Sequence, residues 1–170
     1  MGCVVRPVIT PDGQIAPGTA TSITLPSPPT GFRRAEKLPW LTISLHADPD
    51  FEYPYYSGYA QVNGGDPGLG FHENFPLAFG TGDDGYLAAL EKAIKHIAEF
   101  APQFLVVSAG MDIYSADPLG KIRVSRSGIA EIGAQIAKFD LPTAIIMEGG
   151  YNTEDLGMNV ATFLAAFGAG

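Results

Sequence analysis

The sequence is poor in several things, and each shortage closes a door. It has one cysteine, Cys3, which excludes an intramolecular disulfide and any cysteine-based zinc cage. Its apolar runs are all shorter than a bilayer span, so a transmembrane helix is not expected. It carries little positive charge: ten Lys and Arg against eighteen Asp and Glu give a net of −8. A chain of that sign lacks the basic face needed to hold DNA, RNA or anionic lipid non-specifically, so neither nucleic acid nor membrane is an expected partner. The chain opens without the basic-then-apolar pattern of a secretory signal. Met1-Gly2-Cys3 has the look of an acylation site, but Arg6 stands where myristoylation wants Ser or Thr. A cytoplasmic protein is the expectation. Histidine is scarce too, with three in all and none before His46.

What is present suffices for one domain. The chain has 170 residues, 46% apolar and 16% charged, enough to bury a core and too few charges for a disordered tail. The first 39 residues differ in texture from the rest. They hold half of the fourteen prolines and a net charge of +2, so the remainder carries −10. Pro26, Pro28 and Pro29 deny backbone donors to any central strand. Residues 1–37 therefore read as an irregular leader, and 38–170 as the structured part.

From Trp40 the pattern is regular. Short β-branched and aliphatic runs at 41–45, 104–108 and 143–147 predict strands buried on both faces, as in a parallel sheet. Leu87, Leu90, Ile94, Ile97 and Ala101 fall at helical spacing and stop before Pro102. Ile129, Ile132, Ile136 and Phe139 repeat the spacing, and Leu156, Val160, Phe163 and Phe167 do so again. Helices are expected near 85–100, 126–138 and 155–167, giving an α/β fold with a parallel sheet flanked by helices. The segment 46–83 shows no helical period and is rich in Gly, Pro and aromatics; a stretch of that length is usually functional.

Each strand runs into a polar, glycine-bearing exit: Ser44-Leu45-His46-Ala47-Asp48-Pro49, then Ala109-Gly110-Met111-Asp112, then Glu148-Gly149-Gly150-Tyr151-Asn152. Singly, each is a turn or a cap. Together, at the carboxyl ends of parallel strands, they predict a ligand site. His46 and His72 read as packing or loop residues, and His96 as part of a solvated helix face. The glycine-rich Gly64–Gly70 stretch does not join a strand to a helix, so a phosphate-binding role is not expected.

Those exits lie in order with Tyr53-Pro54-Tyr55-Tyr56-Ser57-Gly58, Gly70-Phe71-His72-Glu73-Asn74-Phe75-Pro76-Leu77, Gly80-Thr81-Gly82 and Asp117-Pro118-Leu119-Gly120. The ordered set resembles the C-terminal half of the zinc-dependent histone deacetylase family, nearest its acetylpolyamine amidohydrolase branch, over roughly residues 38–168. The resemblance implies a partial arginase/deacetylase-like fold and hydrolysis of an acetyl group from acetyl-lysine or an acetylpolyamine. It implies zinc as cofactor with Asp112 a zinc ligand, and Tyr151 as the catalytic donor to the substrate carbonyl. It implies Ser44, through its hydroxyl, and Leu45, through its carbonyl, as ligands of a structural potassium, with Phe71 near a second such ion. Tyr53 falls near the wall of the acyl tunnel, and Gly149 and Gly150 line the substrate beside Tyr151.

The family also places a tandem His pair and an Asp-x-His zinc-ligand pair before the strand that begins near Trp40, and neither is present here. A catalytic zinc usually takes three protein ligands, and general-base catalysis contributes ~10²–10⁴-fold. The chain alone is thus expected to be inactive, with residues 1–37 a truncation, a misread start or an out-of-frame leader. The missing half would lie upstream or on another chain. A non-catalytic remnant that binds a partner, or forms a homo-oligomer, through an exposed half-core is the alternative. A ureohydrolase relative, resting on Asp112 with Asp117, is a third reading.

Overall fold

The computed structural model describes residues 4–5, 40–53, 55–65 and 68–170, residues 4 and 5 through their backbone alone. Five strands, β1 (Val4–Val5), β2 (Thr42–Ala47), β3 (His72–Leu77), β4 (Leu105–Ala109) and β5 (Thr143–Met147), form one sheet in the order β3-β2-β1-β4-β5. β2 pairs parallel with β3, and β4 with β5. The short β1 runs antiparallel to both β2 and β4, which are therefore parallel to each other. The carboxyl ends of β2, β3, β4 and β5 share one edge of the sheet. Apart from Val4–Val5, the leader expected at 1–37 lies outside the described residues.

Three helices, α1 (Asp83–Phe100), α2 (Arg126–Ala137) and α3 (Leu156–Gly168), fall where helical spacing predicts them. α1 ends on Ala101 in the left-handed region, its N–H donating back to the Ile97 carbonyl, just before Pro102. Its buried stripe is Tyr86, Ala89, Leu90, Ala93 and Ile97. The expected stripe is rotated: Leu87 and Ile94 are only partly buried, and with Asp84, Glu91, Gln135, Lys138 and Phe139 they line a cavity of about 590 Å³ between α1 and α2. α2 opens on Ser125, whose hydroxyl accepts from Gly128 N–H and donates to Asp83, tying the starts of α1 and α2 together. α3 is held to α2 by Arg126, which donates to buried Asn159 and pairs with Asp155.

One expectation is corrected. The segment 46–83 contains β3, paired with β2 along six residues from Thr42↔His72 to Ala47↔Leu77. Its sequence, His-Glu-Asn-Phe-Pro-Leu, has neither an apolar run nor clean alternation. Pro76 is tolerated because β3 is an edge strand, where a missing N–H costs no ladder bond. β5 is the other edge, and Ile146 and Met147 are half exposed on it. The core lies between the sheet and the helices, centred on Ile43, Leu45, Leu105, Val107, Leu90 and Ile129.

Candidate active site

β4 ends at Ala109, and the chain turns at once into a short 3-10 turn, Met111–Ile113, which carries Asp112. Asp112 is 3% exposed. Burial pushes its carboxyl above the ordinary range, and the charge of Asp117 pushes the same way. β5 ends at Met147 and continues the parallel pairing into the loop: Glu148 N–H donates to Ala109 O at 3.1 Å, and Met111 N–H donates to Gly149 O at 2.6 Å. The two exits are thereby stitched side by side.

Gly149 faces the Asp112 carboxylate. A Cβ there would stand 2.3 Å from Oδ2 and 2.7 Å from Cγ, so any side chain at 149 would force the Asp112 carboxylate to move. Gly150 follows at a φ of 142°, and a Cβ on it would press on Leu156 and Met111. Tyr151 then leaves the fold and is 43% exposed. It is not sealed in the core. Asp112 and Tyr151 thus belong to adjoining exits at one edge of the sheet, the carboxylate buried and the phenol accessible.

The residue that joins them is Asp117, which the sequence offers as the start of the Asp117-Pro118-Leu119-Gly120 motif and as a ureohydrolase ligand. Its Oδ1 accepts from the N–H groups of Leu119 and Gly120, both at 2.9 Å, and its Oδ2 from Tyr151 at 2.7 Å and Asn152 at 3.3 Å. Burial alone would raise its pKa, but four amide donors outweigh that and hold it below the usual carboxylate range. A carboxylate so engaged with backbone amides is a poor metal ligand, which removes the support for the ureohydrolase reading. The signal in the sequence was Asp117-Pro118-Leu119-Gly120, an Asx-type turn; its second pair of donors lies 34 residues away and leaves no local trace.

The β2 exit is built differently. Ser44 lies within β2, two strands from β4, and so roughly 10 Å away at ordinary strand spacing. His46 is buried with both ring nitrogens engaged: Nε2 lies 2.8 Å from the Gly58 carbonyl, and Nδ1 2.8 Å from the Ser44 hydroxyl. A carbonyl can only accept, so Nε2 carries the proton and the Ser44 hydroxyl donates to Nδ1. Burial lowers the His46 pKa. Leu45 puts its side chain in the core, and the carbonyl of Phe71 accepts from Thr42 N–H. Tyr53 is 58% exposed, in a loop with Phe51, Tyr55 and Tyr56 that also present their rings to solvent. His72, expected in a loop, instead opens β3 opposite Thr42, and its Nε2 lies 3.1 Å from the Asn74 side-chain nitrogen. His96 differs from its expected solvated role, pairing with Glu73 across to β3.

Among the described residues no three His, Cys, Asp or Glu side chains converge where they could hold a metal ion. A catalytic zinc takes three protein ligands, and the Asp112 carboxylate could be one of them at most. The described residues alone therefore do not make up a zinc site. No helix among them is long and apolar enough to cross a membrane.

An α/β sheet whose four longer strands run parallel, with a buried carboxylate and an accessible tyrosine on adjoining exits, defines a class, and sequence comparison gives its name. Residues 34–167 match the histone deacetylase domain, and the chain belongs to that family. Among its relatives, acetylpolyamine amidohydrolase 1 of Pseudomonas aeruginosa is 43% identical over 127 residues, covering 75% of this chain and 37% of that protein. The acetylpolyamine amidohydrolase of Burkholderia pseudomallei is 36% identical over 129 residues, covering 76% and 38%. The crystal structure of the Burkholderia pseudomallei acetylpolyamine aminohydrolase superimposes with a TM-score of 0.73 at 35% identity, over 75% of this chain and 37% of that one. The chain thus spans little more than a third of the curated relatives it matches.

Proposed function

We propose that this chain forms one wall of an amide-hydrolysing site that removes acetyl groups from acetylated amines, acetyl-lysine or acetylpolyamines, in the cytoplasm. The single observation that carries this reading is the Asp112–Gly149 contact, which puts a buried carboxylate two residues from an accessible phenol on adjoining strand exits. Amide hydrolysis needs a polarised carbonyl, an activated water and a donor to the developing oxyanion. Tyr151 is the donor, its phenol facing solvent where a substrate carbonyl can reach it. Asp112 is the carboxylate this chain contributes to a zinc whose remaining ligands must come from elsewhere. Gly149 and Gly150 keep the substrate side of the loop narrow, and Tyr53 with its aromatic neighbours walls the approach. The Ser44 hydroxyl, donating to His46, keeps oxygen lone pairs for a potassium ion beside the Leu45 carbonyl.

The same reading holds that the chain is inactive alone. None of the three histidines stands ready to take a proton from water beside Asp112: His46 is engaged at both nitrogens, and His72 and His96 contact Asn74 and Glu73. The test is zinc stoichiometry and deacetylation of a fluorogenic acetyl-lysine substrate on the purified chain, repeated with Asp112→Ala. The expected result is substoichiometric zinc and no turnover. One tightly bound zinc per chain, with turnover abolished by Asp112→Ala, would refute the claim of inactivity and mean that a second chain or another histidine completes the site.

A non-catalytic, partner-binding role is favoured by one observation of its own. Ile146 and Met147 on the β5 edge and Met158 and Leu164 on α3 are about half exposed, and an apolar edge strand of this kind invites pairing. A homo-oligomer or a complementary half would each cover it. Sedimentation of the chain with and without an N-terminal deacetylase half separates the two.

A further inference from the structure

The Asp112 and Tyr151 loops both rest on the Asp117 carboxylate. It lies five residues after Asp112 and is 4% exposed. On one side its Oδ1 holds the Leu119 and Gly120 amides. Gly120 in turn packs against the Asp112 backbone so tightly that a Cβ would stand 1.8 Å from the Asp112 carbonyl oxygen. On the other side its Oδ2 holds the amides of Tyr151 and Asn152. One carboxylate thus fixes the loop that carries Asp112 and the backbone of Tyr151 at once.

We propose that Asp117 is a positioning residue, one that sets where the Tyr151 phenol stands relative to the Asp112 carboxylate. The importance of that placement rests on the function proposed above; the geometry itself does not. Tyr151 follows two glycines and is 43% exposed, and its backbone N–H donates to Asp117. A carboxylate accepting two amides at each oxygen is suited to the task, because hydrogen bonds to a charged group are stronger and shorter than neutral ones. The simpler alternative is that Asp117 only caps the 117–120 turn.

Asp117→Asn separates the two. Asparagine has one oxygen, and turns its NH₂ toward whichever pair of amides the oxygen does not serve. The local pair, Leu119 and Gly120, costs less chain entropy to keep and retains the oxygen. The variant is then expected to speed amide hydrogen exchange at Tyr151 and Asn152 by about tenfold or more. The Ile145 and Val107 amides of the sheet should hold their rates. The ring resonances of Tyr151 should shift while those of buried Tyr86 stay in place. Unchanged exchange at Tyr151, or a rise shared equally by the whole sheet, would overturn the proposal in favour of a turn cap or general support. If the variant does not fold, the unaltered chain decides: couplings across the hydrogen bonds from the Tyr151 and Gly120 nitrogens to the Asp117 side-chain carboxyl carbon are expected. Absence of the Tyr151 coupling overturns the proposal even in a chain that deacetylates; its presence in an inactive chain upholds the geometry while the functional reading fails.

Discussion

The two halves of the sheet hold their exits by opposite means. At β4 and β5 an ionised carboxylate, Asp117, gathers four amide donors, and glycines bring the backbone against Asp112. At β2 and β3 the struts are neutral: His46 spans from Ser44 to the Gly58 carbonyl, and Asn74 donates to the carbonyls of Tyr59 and Val62. Backbone N–H groups presented to a charge make a tight local nest; carbonyls presented to side-chain donors pin a longer loop at a few points only. The first arrangement suits groups that must keep a fixed separation. The second suits a loop of exposed aromatics that meets a variable ligand.

The comparison can be broken at its strongest point first. Gly120→Ala should cost about 3 kcal/mol, the upper part of the range for overpacking, because a Cβ at 1.8 Å from backbone cannot be relieved by a rotamer change. Urea denaturation of the variant measures it; a loss close to zero would mean that the Asp112 turn is not held as described.

Asp117→Ala removes one acceptor group from four amides and is expected to cost about 2 kcal/mol, in the range for leaving buried donors unpaired. The pH dependence sharpens this. The Asp117 pKa is lower folded than its ordinary 3.8, so its stabilisation is complete above that value and is lost as pH falls below it towards the folded pKa. Acid unfolding of the alanine variant should lack that component, leaving a shallower fall in stability below pH ~4.

At the neutral strut the effect should be smaller. His46→Leu leaves the Ser44 hydroxyl and the Gly58 carbonyl without their ring partner and should cost about 1–2 kcal/mol. Its pKa is lowered from 6.5, so the unfolded chain takes up the proton first, and stability falls as pH drops from about 6.5 towards the folded pKa. That slope should be absent from the leucine variant when melting is followed from pH 7 to 5. Smallest of all, Tyr53→Ala should change stability by no more than ~0.5 kcal/mol, since the ring is mostly in solvent. A larger loss by thermal melting would show that the aromatic loop belongs to the fold rather than to the ligand approach.

Much of this was legible from residue order. The β4 and β5 runs, Leu-Val-Val-Ser-Ala and Thr-Ala-Ile-Ile-Met, declare parallel strands, although β5, expected to be buried on both faces, is an edge strand with no fully buried residue, and the spacing around Leu90, Ile129 and Phe163 declares the helices. Asp112 and Tyr151 stood out as the polar ends of such strands. β3 did not, because an edge strand needs no apolar run and can hold Pro76. The face of α1 was misplaced by a turn's fraction, since alanines at 89 and 93 pack against the core while Leu87 and Ile94 flank a cavity.

The sequence by itself determined the α/β class, the family, and the chemical types at the strand exits, because hydrophobic period and ordered motifs are properties of neighbouring residues. Tertiary structure alone decided that Asp117 serves Tyr151, that His46 spans from Ser44 to the Gly58 carbonyl, and that Gly149 lies against the Asp112 carboxylate. Each of those depends on groups 12 to 37 residues apart meeting within hydrogen-bonding or contact distance. No local pattern records such a meeting, because chain separation and spatial proximity are linked only through the packing of the whole sheet.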